Sequence, residues 1–209
     1  MASVDSPSSS VPVVATGARE RILEAAYELF SRRGIRAVGI DAIIARSGVA
    51  RMTLYRHFAS KEELALAYLE RREQRWTRQW LQAQIELRAT DPADRLLAVF
   101  DVFDEWFQTL DFEGCAFIRM LFETEDASDP IGAAGRAYLV GIRSMLASLA
   151  TEAGIPDPED FAAKWHILMK GSIVSAGEGD LAAARRAQQV ARLLLAHELP
   201  RSAAAVAPA

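Results

Sequence analysis

The stretch from Gly34 to Leu64, GIRAVGIDAIIARSGVARMTLYRHFASKEEL, constrains this chain more than any other. Two short segments with helical apolar spacing, Asp41 to Arg46 and Arg51 to His57, lie on either side of Gly48, and Ser60 stands three residues before Glu63. A glycine at 48 fits a left-handed position in a tight turn, where a Cβ is penalised. A serine hydroxyl and a carboxylate three residues on satisfy each other's free amides, so Ser60 opens a further, long helix. Two short helices on a tight turn, followed by a long one, are what a helix-turn-helix requires. In this reading Ala42, Ile43, Ala45 and Val49 pack the pair, and the second helix offers Arg51, Thr53, Tyr55, Arg56 and His57 near one exposed end.

The rest of the chain also reads as helix. Ile22, Ala26, Leu29 and Phe30 form an apolar stripe ahead of the stop at Gly34. The helix opened by Ser60 runs to about Leu87 and carries Leu69, Trp76 and Trp80. Three later starts use Asp followed by Pro: Asp91-Pro92, Asp129-Pro130 and Asp157-Pro158. Aspartate accepts from free amides at the N-cap, and proline suits the first helical position because its missing N–H has no partner to lose. Behind these come Leu96, Phe100, Phe103, Phe107 and Leu110, then Tyr138, Ile142, Met145 and Leu149, then Phe161, Trp165 and Leu168, and last Ala187, Val190 and Leu194, all at helical spacing. The expected fold is all-α with about nine helices. Residues 1–17 read as a disordered arm, 18–65 as a three-helix helix-turn-helix domain, 66–199 as a second helical domain, and 200–209 as a disordered tail.

Composition narrows the function. No apolar run approaches the roughly 20 residues of a membrane span, and the N-terminus lacks a signal pattern, so a cytoplasmic protein without membrane partners is expected. One cysteine, Cys115, and three scattered histidines give no disulfide framework and no metal cluster. No cofactor or metal is expected. The net charge of −4 is uneven: residues 1–64 carry nine Lys or Arg against seven Asp or Glu, and the remainder fifteen against twenty-one. Only the N-terminal third suits a polyanion. There Arg51 and Arg56 can bond guanine edges or phosphates, and the Thr53 and Tyr55 hydroxyls can reach either. Lys61, at the start of the next helix, adds a charge beside free amides. No Gly-x-Ser-x-Gly elbow, phosphate-binding glycine loop, His-Glu-x-x-His or Glu-x-x-His pattern occurs, so an enzyme is not expected.

The segment resembles the signature of TetR-family (tetracycline-repressor-like) regulators. The matching residues are Gly34, Asp41, Ala45, Gly48, Val49, Leu54, Tyr55, His57, Phe58, Lys61, Glu62 and Leu64, over roughly residues 18–65. Two positions depart from it: Gly39 and Ala50 stand where hydroxyl residues usually cap the second and third helices. The resemblance implies a homodimer on a palindromic double-stranded DNA operator. Tyr55 and Lys61 then grip phosphates, while Arg51, Met52, Thr53 and Arg56 face the groove. His57 stays open between a phosphate contact and a packing or capping role.

The resemblance also implies a small apolar or aromatic effector bound among the middle helices, with the DNA released as a result. The candidates are Trp76, Trp80, Phe103, Trp106, Phe107, Phe117, Tyr138, Trp165, His166 and Met169. Each, taken singly, is readable first as packed core, and His166 as an interior or interface histidine. Arg119, in Gly114-Cys-Ala-Phe-Ile-Arg119, faces either an acidic ligand or acidic neighbours. Small residues at Gly171, Ser172, Ser175, Ala176 and Gly177, and an apolar face through Ala183, Ala184, Ala187 and Val190, suit a dimer interface or packing within one subunit. A DNA-binding protein that is architectural or controlled by a protein partner, with no small-molecule ligand, is the alternative on the same motif.

Overall fold

The computed structural model describes residues 17–199 apart from Asp111, Thr124, Glu125 and Ala127. The tail from 200 and all but Gly17 of the expected N-terminal arm lie outside the described residues. Among the described residues every regular element is helical. In chain order these are α1 (Ala18–Arg33), α2 (Ile40–Ser47), α3 (Arg51–His57), α4 (Lys61–Arg72), a π-helical segment (Glu73–Gln82), α5 (Ala83–Arg88), α6 (Pro92–Phe107), α7 (Ala116–Glu123), α8 (Pro130–Glu152), α9 (Pro158–Gly177) and α10 (Ala183–Glu198). No helix among them is long and apolar enough to cross a membrane. The chain divides into two compact units, Met1–Gln82 with Thr109–Val140, and Ala83–Gln108 with Gly141–Ala209.

In the first unit, local chemistry sets each boundary of the head. Gly34 ends α1 at φ 81°, with its N–H bonded to Phe30 O. Gly48 ends α2 in the left-handed region (φ 65°, ψ 27°) and donates to Ile44 O at 3.0 Å. Gly39 and Ala50 stand at the N-caps of α2 and α3 without a side-chain bond, as their side chains dictate. Ser60 Oγ accepts the Glu63 N–H at 3.1 Å, and Glu63 Oε2 accepts from the Ala59 N–H at 2.7 Å, one residue earlier than in the standard capping box.

Ile22, Ala26, Phe30, Ile43, Leu54, Phe58, Leu64 and Leu69 are almost wholly buried in this unit. Burying a side chain such as Leu54 stabilises by about 1.5–3 kcal/mol. Val49 joins this core, but Ala45 is exposed. Two positions beyond Ile43, it stands about 200° round the α2 axis and cannot share its face. Tyr68 packs edge-on against Tyr27 and Phe30 at 5.5 and 5.4 Å.

The π-helical segment was not readable from apolar spacing. Glu73 and Arg78 form an ion pair at 2.7 Å across five residues. In an α-helix such residues lie about 140° apart round the axis, so the pair belongs to the wider turn. Trp76 and Trp80 lie along the same segment with ring centroids 5.5 Å apart and planes tilted by 42°.

In the second unit, Asp91 accepts from the Ala93 and Asp94 amides, and Asp157 from the Asp160 amide, as the Asp-Pro pairs require. Asp129, in the first unit, does the same for Gly132 at 2.9 Å. The second core is aromatic: Phe100 and Phe161 lie 5.5 and 5.1 Å from Trp165, and Phe103 lies 5.7 Å from Phe107. Ala184, Ala191 and Leu195 turn inward from α10. The small side chains of the two alanines let it approach α9 and α6 closely.

Candidate nucleic-acid interface and effector region

Helix α3 divides its seven residues sharply. Leu54 is fully buried and fixes the helix on the head. The side chains around it point outward: Met52 is 79% and Tyr55 39% exposed, and Arg51 and Arg56 are also exposed. Thr53 and His57 are half-buried at the edge of the same face. The Arg51 guanidinium is paired with Asp41 of α2, an exposed partnership that an incoming phosphate or base edge can replace at little cost. Arg46, at the end of α2, is paired with Glu28 at 2.5 Å.

Lys61 is placed differently from the α3 residues. It is half-buried, and its Nζ donates to Arg36 O at 3.5 Å. Burial lowers its pKa, and the Glu123 carboxylate works against that shift. A cleft of about 250 Å³ opens here, and its lining includes Ile35, Lys61, Met120 and the carboxylates Glu62, Glu123 and Asp129. Glu123 carries no motif, and its partners lie 87 and 88 residues away in the chain, so sequence reading passed over it.

The residues expected to meet an effector fall into two sets. The first unit holds Trp76, Trp80, Phe117 and Tyr138. Phe117 and Tyr138 are 5.1 Å apart, and Tyr138 is half-buried, its hydroxyl pKa raised by desolvation and by Glu70 and Glu73. The Thr77 hydroxyl and the Trp80 indole N–H are buried without a hydrogen-bond partner among the described residues. The second unit holds Phe103, Trp106, Phe107, Trp165, His166 and Met169, all buried. There the Trp165 Nε1 and His166 Nδ1 atoms lack partners among the described residues. Burial, with Lys170 and Arg143 adding to it, pushes His166 down to about 4 and keeps it neutral.

Arg119 is engaged by backbone carbonyls in this structure. It donates to Ser31 O at 2.8 Å and to Glu113 O at 2.7 Å. Arg72 is buried and carries long hydrogen bonds of 3.4 Å to Tyr27 Oη and Ser31 Oγ. Burial raises the pKa of the Cys115 thiol, and no disulfide involves it. Of the small residues near the C-terminus, Ser172, Ala176, Ala183 and Ala184 are buried inside the subunit. Gly171, Gly177 and Val190 of the expected faces are exposed and Ser175 and Ala187 half-buried, and Val190 shares an exposed apolar stripe with Leu193 on α10 and with Ile167 and Val174 on α9.

Residues 22–68 match the family profile "Bacterial regulatory proteins, tetR family". The HTH-type transcriptional activator FasR of Mycolicibacterium smegmatis is 38% identical over 113 residues, 54% of this chain and 48% of the relative. The match therefore spans about half the length of that relative. A TetR-type regulator from Streptomyces avermitilis superimposes with a TM-score of 0.77 at 27% identity, covering 88% of this chain and 98% of the other. A TetR-family transcriptional regulator from Streptomyces coelicolor does so with a TM-score of 0.76 at 26% identity, covering 87% and 95%.

Proposed function

We propose, from the premise that this chain belongs to the TetR family of bacterial transcriptional regulators, that it reads a palindromic DNA operator as a homodimer and releases it on binding a small effector. One observation carries the reading: α3 buries Leu54 and turns Arg51, Met52, Tyr55 and Arg56 outward on a rigid three-helix head. A helix so presented fits the major groove, where Arg takes guanine edges and Tyr a phosphate. The α9 and α10 stripe of Ile167, Val174, Val190 and Leu193 supports a two-fold interface, since exposed apolar side chains of one helix pair are covered by the same pair of a second copy.

Buried polar atoms without partners among the described residues support the effector half of the reading. Thr77 and Trp80 in one unit, and Trp165 and His166 in the other, offer polar atoms among aromatic rings. A largely apolar molecule bearing a few polar groups satisfies such atoms, an acceptor on the ligand taking the indole N–H groups. Binding to one state of the dimer shifts the population away from the DNA-competent one. The first test is selection of duplexes from a random pool at near-physiological salt. Enrichment of a two-fold symmetric site supports the reading. The absence of any enriched site, with a pool of apolar aromatic compounds present or absent, contradicts it. Since the relative FasR is named as an activator, a reporter fused to the selected site reads the sign of regulation.

A further inference from the structure

Helix α7 enters the reading head through one carboxylate. Glu123 Oε2 accepts the Ile35 N–H at 3.1 Å and the Arg36 N–H at 3.3 Å. Consecutive backbone amides pointing into one concavity form an anion nest. Gly34 makes room for the guest: a Cβ there would stand 2.3 Å from Glu123 Oε1, and the residue already sits at φ 81°. A side chain at 34 would therefore displace the Glu123 carboxylate from its present position.

The same peptide is held from its other side. Arg36 gives its N–H to Glu123 and receives at its carbonyl the ammonium of Lys61, the first residue of α4. Four residues back along α7, Arg119 donates to the carbonyl of Ser31 in the last turn of α1, where a cation also suits the helix dipole. Just ahead of α7, Glu113 pairs with Arg32 at 3.6 Å. These contacts join α7 to the end of α1 and to the α1–α2 turn, where Glu123 and Lys61, the lysine expected on an operator phosphate, line the same cleft.

We propose that Glu123 is a positioning residue for DNA reading: its carboxylate locks the Gly34 to Arg36 turn to α7, and its charge restrains Lys61 from a DNA phosphate. The inference rests on the DNA-binding reading above and adds the element that controls it. Movement of α7 withdraws the carboxylate, frees the turn and unmasks the Lys61 charge together. The two effects of Glu123 are separable, because Glu123→Gln keeps an acceptor oxygen without the charge and Glu123→Ala removes both.

Two measurements on the full chain test it. The first is binding of a fluorescein-labelled mixed-sequence duplex of about 30 base pairs at about 50 mM salt, where phosphate contacts dominate. Glu123→Gln is expected to tighten binding about threefold and to steepen the logarithmic salt slope by about one, and Lys61→Ala to weaken binding. In a Lys61→Ala background the gain from Glu123→Gln disappears. A gain that persists there, or no gain at all, overturns the restraint on Lys61. The second is amide exchange at Ile35 and Arg36, which needs no DNA. Glu123→Ala accelerates it at least about tenfold while Tyr68 in α4 keeps its wild-type rate. Unchanged exchange at 35 and 36 overturns the lock. If the wild-type protein retains no duplex, the DNA-binding reading falls with the Lys61 restraint, and the exchange arm alone decides the lock.

Discussion

The Arg71 guanidinium meets the Glu20 carboxylate as a fork, Nη1 to Oε1 and Nη2 to Oε2 both at 2.6 Å, and so joins α4 to the first turn of α1. Arg75 repeats the tie one turn on, at 2.9 Å from Glu24. The helix that leaves the reading head is thus fixed to the helix that opens it by paired charges as well as by Tyr68.

The fork predicts an acid-sensitive contribution to stability. The hydrogen bond from Arg71 holds the Glu20 carboxyl below its usual 4.5. A lowered carboxyl contributes stability above its unfolded pKa and loses it as pH falls through the folded one. Glu20 is over a third exposed, so screening limits the pair to about 1 kcal/mol or less. Arg71→Ala should lower Tm by about 2–4 °C at pH 7. The gap to wild type should shrink below about pH 4. An equal gap at pH 7 and pH 3 contradicts the assignment.

His166 predicts a second, higher window. Its folded pKa is pushed down to about 4 from 6.5, so the unfolded chain binds the proton first. Stability from this group is complete above about pH 6.5 and is lost as pH falls towards 4, amounting to about 2 kcal/mol between pH 7.5 and pH 5. His166→Leu should remove most of that slope in urea titrations. A variant as pH-sensitive as wild type places the titrating group elsewhere.

Gly48 predicts a backbone cost without a steric one. Its φ of 65° is left-handed, and a Cβ built there meets nothing within 4 Å. Gly48→Ala should destabilise by about 1 kcal/mol and Gly48→Asn by less, because asparagine tolerates this region better. Equal losses for the two in chemical denaturation argue for a contact rather than a dihedral.

Tyr55 is 39% exposed on α3 and contributes little to the core. Tyr55→Ala should weaken binding to a selected duplex about tenfold, roughly 1.4 kcal/mol, at unchanged oligomeric state and Tm. Anisotropy titrations at fixed salt check it. Unaltered affinity moves the interface off this face.

Much of the head was legible because it is written in local chemistry. Gly34, Gly48, Ser60 and the three Asp-Pro pairs each state a boundary through their own backbone or side-chain preference, and the described helices end where they direct. The outward set on α3 followed from the position of Leu54. What stayed hidden depends on partners far along the chain. Lys61 reads as a free cation by type, yet it lies against Arg36 O and near Glu123. Arg119 holds the backbone carbonyls of Ser31 and Glu113, the first of them 88 residues away in the chain. The π turn leaves no apolar periodicity to find; only the Glu73–Arg78 spacing hints at it. On α9, Ser172 and Ala176 suit either close packing or an interface by size alone, and their burial inside the subunit distinguishes the two.

The most direct test of the account is guanine N7 methylation of a duplex enriched by this protein, with and without the protein bound. Recognition by α3 predicts protected guanines in the major groove of two symmetric half-sites, lost from both in Arg51→Ala, Arg56→Ala double variants. Guanines methylated equally in the bound and free duplex, or protection that survives loss of both arginines, would contradict it.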